Sequence, residues 1–127
     1  MSQRPHPIRV LVVDDSVVLR MSLAMALRTA EDIELIGELS DGIEAVALTC
    51  RLQPDLVLMD VSLPGIDGIE ATRRIHAACP EVRIVGLSMY TDVSEDMLAA
   101  GAVACLDKAT PAAAIVAAIR DYAGPAK

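Results

Sequence analysis

Residues 55–70 read DLVLMDVSLPGIDGIE, and the order of chemistry in that stretch decides how the rest of the chain is read. Leu56 to Met59 is an unbroken apolar run of strand length, as expected of a strand covered on both faces. Asp60 follows it at once. Ser62-Leu-Pro-Gly65 then interrupts any regular element. Asp67-Gly-Ile-Glu70 has capping-box form, an acidic N-cap with a Glu three positions later. A strand, a loop and a helix are therefore expected in succession, with Asp60 at the end of the strand. A carboxylate there is poorly placed to cap the helix, which starts only at Asp67.

Outward from this unit the same grammar repeats. The run IRVLVV precedes Asp14-Asp15, RIVGL precedes Ser88, and AVACLD precedes Lys108. Segments of helical period lie between the runs, and that alternation predicts βα units around a parallel sheet. Strands are expected at 8–13, 33–38, 55–60, 83–87 and 103–107, and helices at 16–29, 41–51, 67–78, 93–100 and 111–122. Asp41-Gly-Ile-Glu44 is a second capping box. Thr110-Pro111 reads as an N-cap followed by proline in the first turn, and Gly101 as a left-handed helix end. The expected organisation is one domain over 8–122, with a short tail at 1–7 and another at 123–127.

Ligands of open α/β sheets bind beyond the carboxyl ends of the strands. That edge would gather Asp14, Asp15, Asp60, Ser88 and Lys108. Three carboxylates offer the hard oxygens that Mg²⁺ prefers. An aspartate can act as a nucleophile in phosphoryl transfer where positive charge offsets the developing anion. Lys108 supplies such a charge, and the Ser88 hydroxyl could donate to a phosphoryl oxygen. Singly these residues say less: Asp14-Asp15 reads equally as a capping pair, Lys108 as a solvated lysine, and Ser88 as nothing in particular. Their shared register at the ends of apolar runs carries the inference.

Composition narrows the alternatives. The 127 residues carry 18 acidic and 11 basic side chains, a net charge of -7, with no Lys/Arg run. Direct nucleic-acid binding is therefore not expected. No apolar run approaches the roughly 18 residues of a membrane span. Cys50, Cys79 and Cys105 lack metal or redox spacing and are expected as free thiols in a reducing cytoplasm. Met21, Met25 and Met59 are expected to fill core gaps, and His6 and His76 to lie on the surface.

The motifs VVDDS, VLMDVSLPGIDG, GLSMY and GAVACLDK together resemble the receiver domain of two-component response regulators, over about Ile8 to Tyr122. The wording GLSMY and GIEATRRI is similar to receivers of LuxR-type regulators and of hybrid histidine kinases. The resemblance implies a flavodoxin-like α/β fold, a doubly wound five-stranded parallel sheet of order 2-1-3-4-5. It implies that Asp60 accepts phosphate from the phosphohistidine of a histidine kinase or histidine phosphotransfer protein. Asp15 and Asp60 would bind Mg²⁺ (or Mn²⁺) directly, with Asp14 assisting through water and the Ser62 backbone carbonyl as a further ligand. Lys108 would pair with the phosphoryl group and Ser88 would move to meet it. Ser62 and Tyr90, two positions beyond Asp60 and Ser88, would modulate water access to the acyl phosphate.

Three departures from the family pattern bear on output. Cys105 stands where an aromatic usually switches, Ala109 where many receivers have proline, and the fourth helix is short. The alanine-rich face of the fourth helix, fifth strand and fifth helix is a candidate homodimer surface, against the plainer reading that small residues pack helices onto the sheet. A pseudo-receiver would lack part of the acidic and lysine set, which is complete here. A hydrolase with an aspartate nucleophile would carry a second aspartate where Ser62 stands.

Overall fold

The computed structural model describes residues 6–89 and 93–124. Ten elements alternate: β1 (Ile8–Val13), α1 (Val17–Thr29), β2 (Ile33–Leu39), α2 (Gly42–Leu52), β3 (Leu56–Asp60), α3 (Gly68–Ala78), β4 (Arg83–Ser88), α4 (Ser94–Ala100), β5 (Ala104–Asp107) and α5 (Ala112–Tyr122). All four strand pairs are parallel, and the sheet order is β2-β1-β3-β4-β5. This is the doubly wound, flavodoxin-like fold that the sequence implied.

The apolar runs explain the layering. Side chains alternate across a strand, so Val10 and Val12 of β1 join Leu56 and Leu58 of β3 and Val85 and Leu87 of β4 on one face, under α1 and α5. Leu11, Val13, Val57, Met59 and Ile84 take the other face, under α2, α3 and α4. Both faces are covered, which is why the strands read as continuous hydrophobic runs. Burying each such side chain contributes roughly 1.5–3 kcal/mol.

Helix starts divide into two groups. Ser16, Asp41 and Asp67 are N-caps whose side chains accept from the backbone N–H of Leu19, Glu44 and Glu70. Val93 and Pro111 precede α4 and α5 with no side-chain cap. The expected Thr110 cap is therefore displaced by one residue. Pro111 keeps ψ at 147°, outside the helical region, so α5 begins at Ala112. Gly101 ends α4 at φ +121° as the sequence suggested, and the Ala102 N–H closes onto the Met97 carbonyl.

Met21 and Met25 depart from expectation. Leu23, Ala24 and Leu27 form the buried stripe of α1, which turns Met21 and Met25 outward with Val17 and Val18. All four are more than half exposed, Val18 at 80%. Met59 is buried as expected. No described helix is long and apolar enough to cross a membrane.

Candidate functional site

Parallel strands bring β1, β3, β4 and β5 to one carboxyl edge, and the anticipated residues meet there. Asp14 and Asp60 are buried, at 0% and 1% exposure. Asp15 is exposed, yet one carboxylate oxygen from each of Asp14, Asp15 and Asp60 lies within 4.8 Å of the others. Lys108 Nζ reaches Asp60 Oδ1 at 3.0 Å and Asp14 Oδ2 at 3.2 Å. Ser88 is buried at the end of β4, its carbonyl accepting from the Lys108 N–H at 2.9 Å. The lysine loop is thus tied to the hydroxyl strand.

The two buried aspartates are each aimed by their own loop. The Ser16 N–H donates to Asp14 Oδ1 at 2.8 Å, and the Ser62 N–H to Asp60 Oδ1 at 3.0 Å. One oxygen of each pair is thereby fixed. Asp60 Oδ2 is buried without a hydrogen-bond partner, and Asp14 Oδ2 faces Lys108 without a hydrogen bond of good geometry. Buried carboxylate oxygens left in this condition are costly. Hard, negatively charged and converging with Asp15, they fit a divalent cation of the Mg²⁺ type.

Electrostatics agree with that geometry. Burial, reinforced by the Asp14 carboxylate, pushes Asp60 up to about 6, although Lys108 and the Ser62 N–H pull the other way. Burial opposes the Lys108 ammonium, but Asp60 and Asp14 outweigh it and hold Lys108 above its usual value. Three carboxylates thus crowd this edge with one counter-charge, Lys108, among them.

Several supports were not legible as functional residues. Arg20 on α1 donates to the Asp14 backbone carbonyl at 2.6 Å and pairs with Glu38 of β2 at 3.7 Å. The glycines of the two Asp-Gly-Ile-Glu motifs clear the path of the loop after β3. A Cβ on Gly68 would stand 2.0 Å from the Asp60 carbonyl oxygen, and one on Gly42 2.3 Å from that of Ile66. Only the caps of these motifs follow from spacing.

Among the modulating positions, Ser62 is exposed and Cys105 is half-buried against the α2, α3 and α4 face. Tyr90 lies outside the described residues. At Ala109, the N–H donates to Asp107 Oδ1 at 2.7 Å, a bond that proline could not make. No cis peptide occurs among the described residues.

Residues 10–120 match the family model of the response regulator receiver domain. The chain belongs to that family. It is 44% identical over 115 residues to the transcriptional regulatory protein LiaR of Bacillus subtilis, covering 89% of this chain and 54% of the relative. The chain spans about half the length of that curated relative. A LuxR-family two-component response regulator from an Aurantimonas species superposes with a TM-score of 0.85 at 31% identity, over 91% of this chain and 84% of that one. The receiver domain of a Pseudomonas aeruginosa sensor histidine kinase, whose crystal structure has a magnesium ion coordinated in its active-site cleft, gives 0.83 at 29% identity, over 94% and 99%. This receiver domain of two-component phosphorelays thus carries an acidic site of Asp14, Asp15 and Asp60.

Proposed function

We propose that Asp60 is the phosphoacceptor and that the phosphodonor is a phosphohistidine on a histidine kinase or histidine phosphotransfer protein. The observation carrying this reading is the pair of Asp60 oxygens. Oδ1 is held by Ser62 and Lys108, while buried Oδ2 has no partner and is the atom left to attack. Its lone pair forms the new O–P bond as the P–N bond breaks, and that electron pair returns to the imidazole. Lys108 stays beside the acyl phosphate and Ser88 donates to one of its oxygens.

Asp14, Asp15 and Asp60, with the Ser62 carbonyl, would hold Mg²⁺ (or Mn²⁺). When bound, the ion neutralises charge developing on the phosphoryl oxygens. The chain's own part is to fix the carboxylates in advance, through Ser16, Ser62 and Arg20. The donor must cover surface beside Asp60. The exposed stripe of Val17, Val18, Met21 and Met25 starts directly after the Ser16 cap and offers an apolar seat for it. A second surface for self-association lies at Leu98 and the exposed Ala113, Ala114 and Ala117. It predicts a larger sedimenting mass with a beryllofluoride phosphate mimic than without.

Acetyl phosphate with Mg²⁺ should add one phosphoryl group by intact-mass spectrometry. Asp60→Asn should take up none, and equal labelling of that variant would refute the assignment. In the same assay, phosphate loss should be faster from Tyr90→Ala, if that ring shields the acyl phosphate from water.

A further inference from the structure

Three thiols that sequence spacing leaves unrelated include two that the fold brings together. Cys50 lies in the last turn of α2 and Cys79 is the C-cap of α3. Their sulfurs are 3.0 Å apart, with the Cys79 S–H directed at Cys50. The helices run in parallel from their matched caps, so the two cysteines meet where both helices end. That is the amino edge of the sheet, opposite Asp60. Cys79 is buried and Cys50 half-buried, which makes Cys50 the more accessible residue of the pair, with the Cys79 sulfur in contact with its own. Cys105 packs elsewhere, beside Gly86 and Met97.

We propose that Cys50 and Cys79 are a reversible oxidative modification site, closed to a disulfide by a peroxide. Cys50, as thiolate, attacks a peroxide oxygen. The O–O bond breaks, hydroxide leaves and takes up the thiol's proton as water, and Cys50 becomes a sulfenic acid. Cys79 then attacks the Cys50 sulfur, the S–O bond breaks, and a second water leaves as the S–S bond forms. Two electrons pass from the two thiols to the peroxide, and a dithiol reductant returns them. The contact with Cys79, then burial, pushes Cys50 up to about 11. Cys50 therefore rests as a neutral thiol and reacts only under sustained oxidant. Such behaviour suits a conditional bond in a reducing compartment, where standing disulfides are rare. The bridge would staple α2 to α3 without touching the acidic edge.

The test is peptide mapping of the folded protein after hydrogen peroxide, with alkylation of remaining thiols in denaturant. The expected product is about 2 Da lighter before alkylation, and after it gives a map with a Cys50–Cys79 cross-link and Cys105 alkylated. It should melt roughly 10 °C higher, as closing a loop of this length constrains the unfolded chain. Dithiothreitol should reverse both changes, and Cys50→Ser should show neither. An exposure sufficient to oxidise the same chain in urea serves as the control for oxidant strength. Under it, free Cys50 and Cys79 in the folded protein, sulfinic acids in place of the link, or a link through Cys105 would each overturn the proposal. An equal melting shift in Cys50→Ser would do the same.

Discussion

The two halves of the carboxyl edge are built differently. On the acid half, α1, α2 and α3 all start at side-chain caps, Arg20 holds the Asp14 carbonyl, and the loop after Asp60 passes over Gly42 and Gly68 with no room for a Cβ. On the half bearing Ser88 and Lys108, α4 has seven residues and no side-chain cap, and α5 is likewise uncapped. The close approach there, at Gly86, is to the flexible end of Met97. The acid half is pinned by side-chain caps, by Arg20 and by close backbone approach at Gly42 and Gly68. The half bearing Ser88 and Lys108 rests on side chains that can yield.

Glycine substitutions test this contrast most forcefully. In Gly68→Ala the new methyl meets the Asp60 carbonyl at 2.0 Å, and neither backbone can retreat cheaply. We expect a loss of about 3 kcal/mol in urea denaturation, together with weaker Mg²⁺ binding. Gly86→Ala meets the Met97 methyl at 2.8 Å and the Cys105 sulfur at 3.1 Å. Both can shift, and a loss of about 1 kcal/mol is expected. Equal costs would dissolve the distinction.

The acid half should also dominate pH dependence when Mg²⁺ is withheld. Burial and then Asp14 push Asp60 up to about 6, whereas an aspartate of the unfolded chain titrates near about 3.9. The folded state then binds the proton more tightly than the unfolded state. Stability should fall as pH rises from about 4 to about 6 and level off above that. Asp60→Asn should flatten the slope in EDTA-treated protein. Added Mg²⁺ should raise the melting temperature of wild type by binding only the folded state, and Asp15→Asn should lose most of that rise.

Caps supply the smallest contrast. Asp67→Ala removes a bond to the Glu70 N–H and should cost about 1 kcal/mol. Thr110→Ala should cost under about 0.5 kcal/mol, because Pro111 occupies the cap position.

Much of this arrangement was legible in the chain because it is written locally. Apolar runs located the strand ends, so Asp14, Asp60, Ser88 and Lys108 could be set at one edge, and the acidic caps fixed the starts of α2 and α3. What escaped depends on how elements approach one another. Nothing near Arg20 shows that it will reach the Asp14 carbonyl. The clearance needed at Gly42 and Gly68 is set by a distant loop, and the meeting of Cys50 with Cys79 by two helices packing side by side. Met21 and Met25 failed for a related reason, since methionine at helical spacing does not declare which face is covered. Gln53 adopts a left-handed conformation at φ 50° to end α2, where glycine would have announced the turn.

The contrast between the halves can be measured at once by amide NMR, comparing the Mg²⁺ form with the Mg²⁺ and beryllofluoride form. The account predicts that the largest shifts outside the acidic loops run from Ser88 through Gly101, with smaller ones near Cys105. Amides at the caps of α2 and α3 should hold still. If residues 91–101 stay fixed while those around Cys105 move widely, Cys105 is the switch and the division between a pinned and a yielding half is wrong.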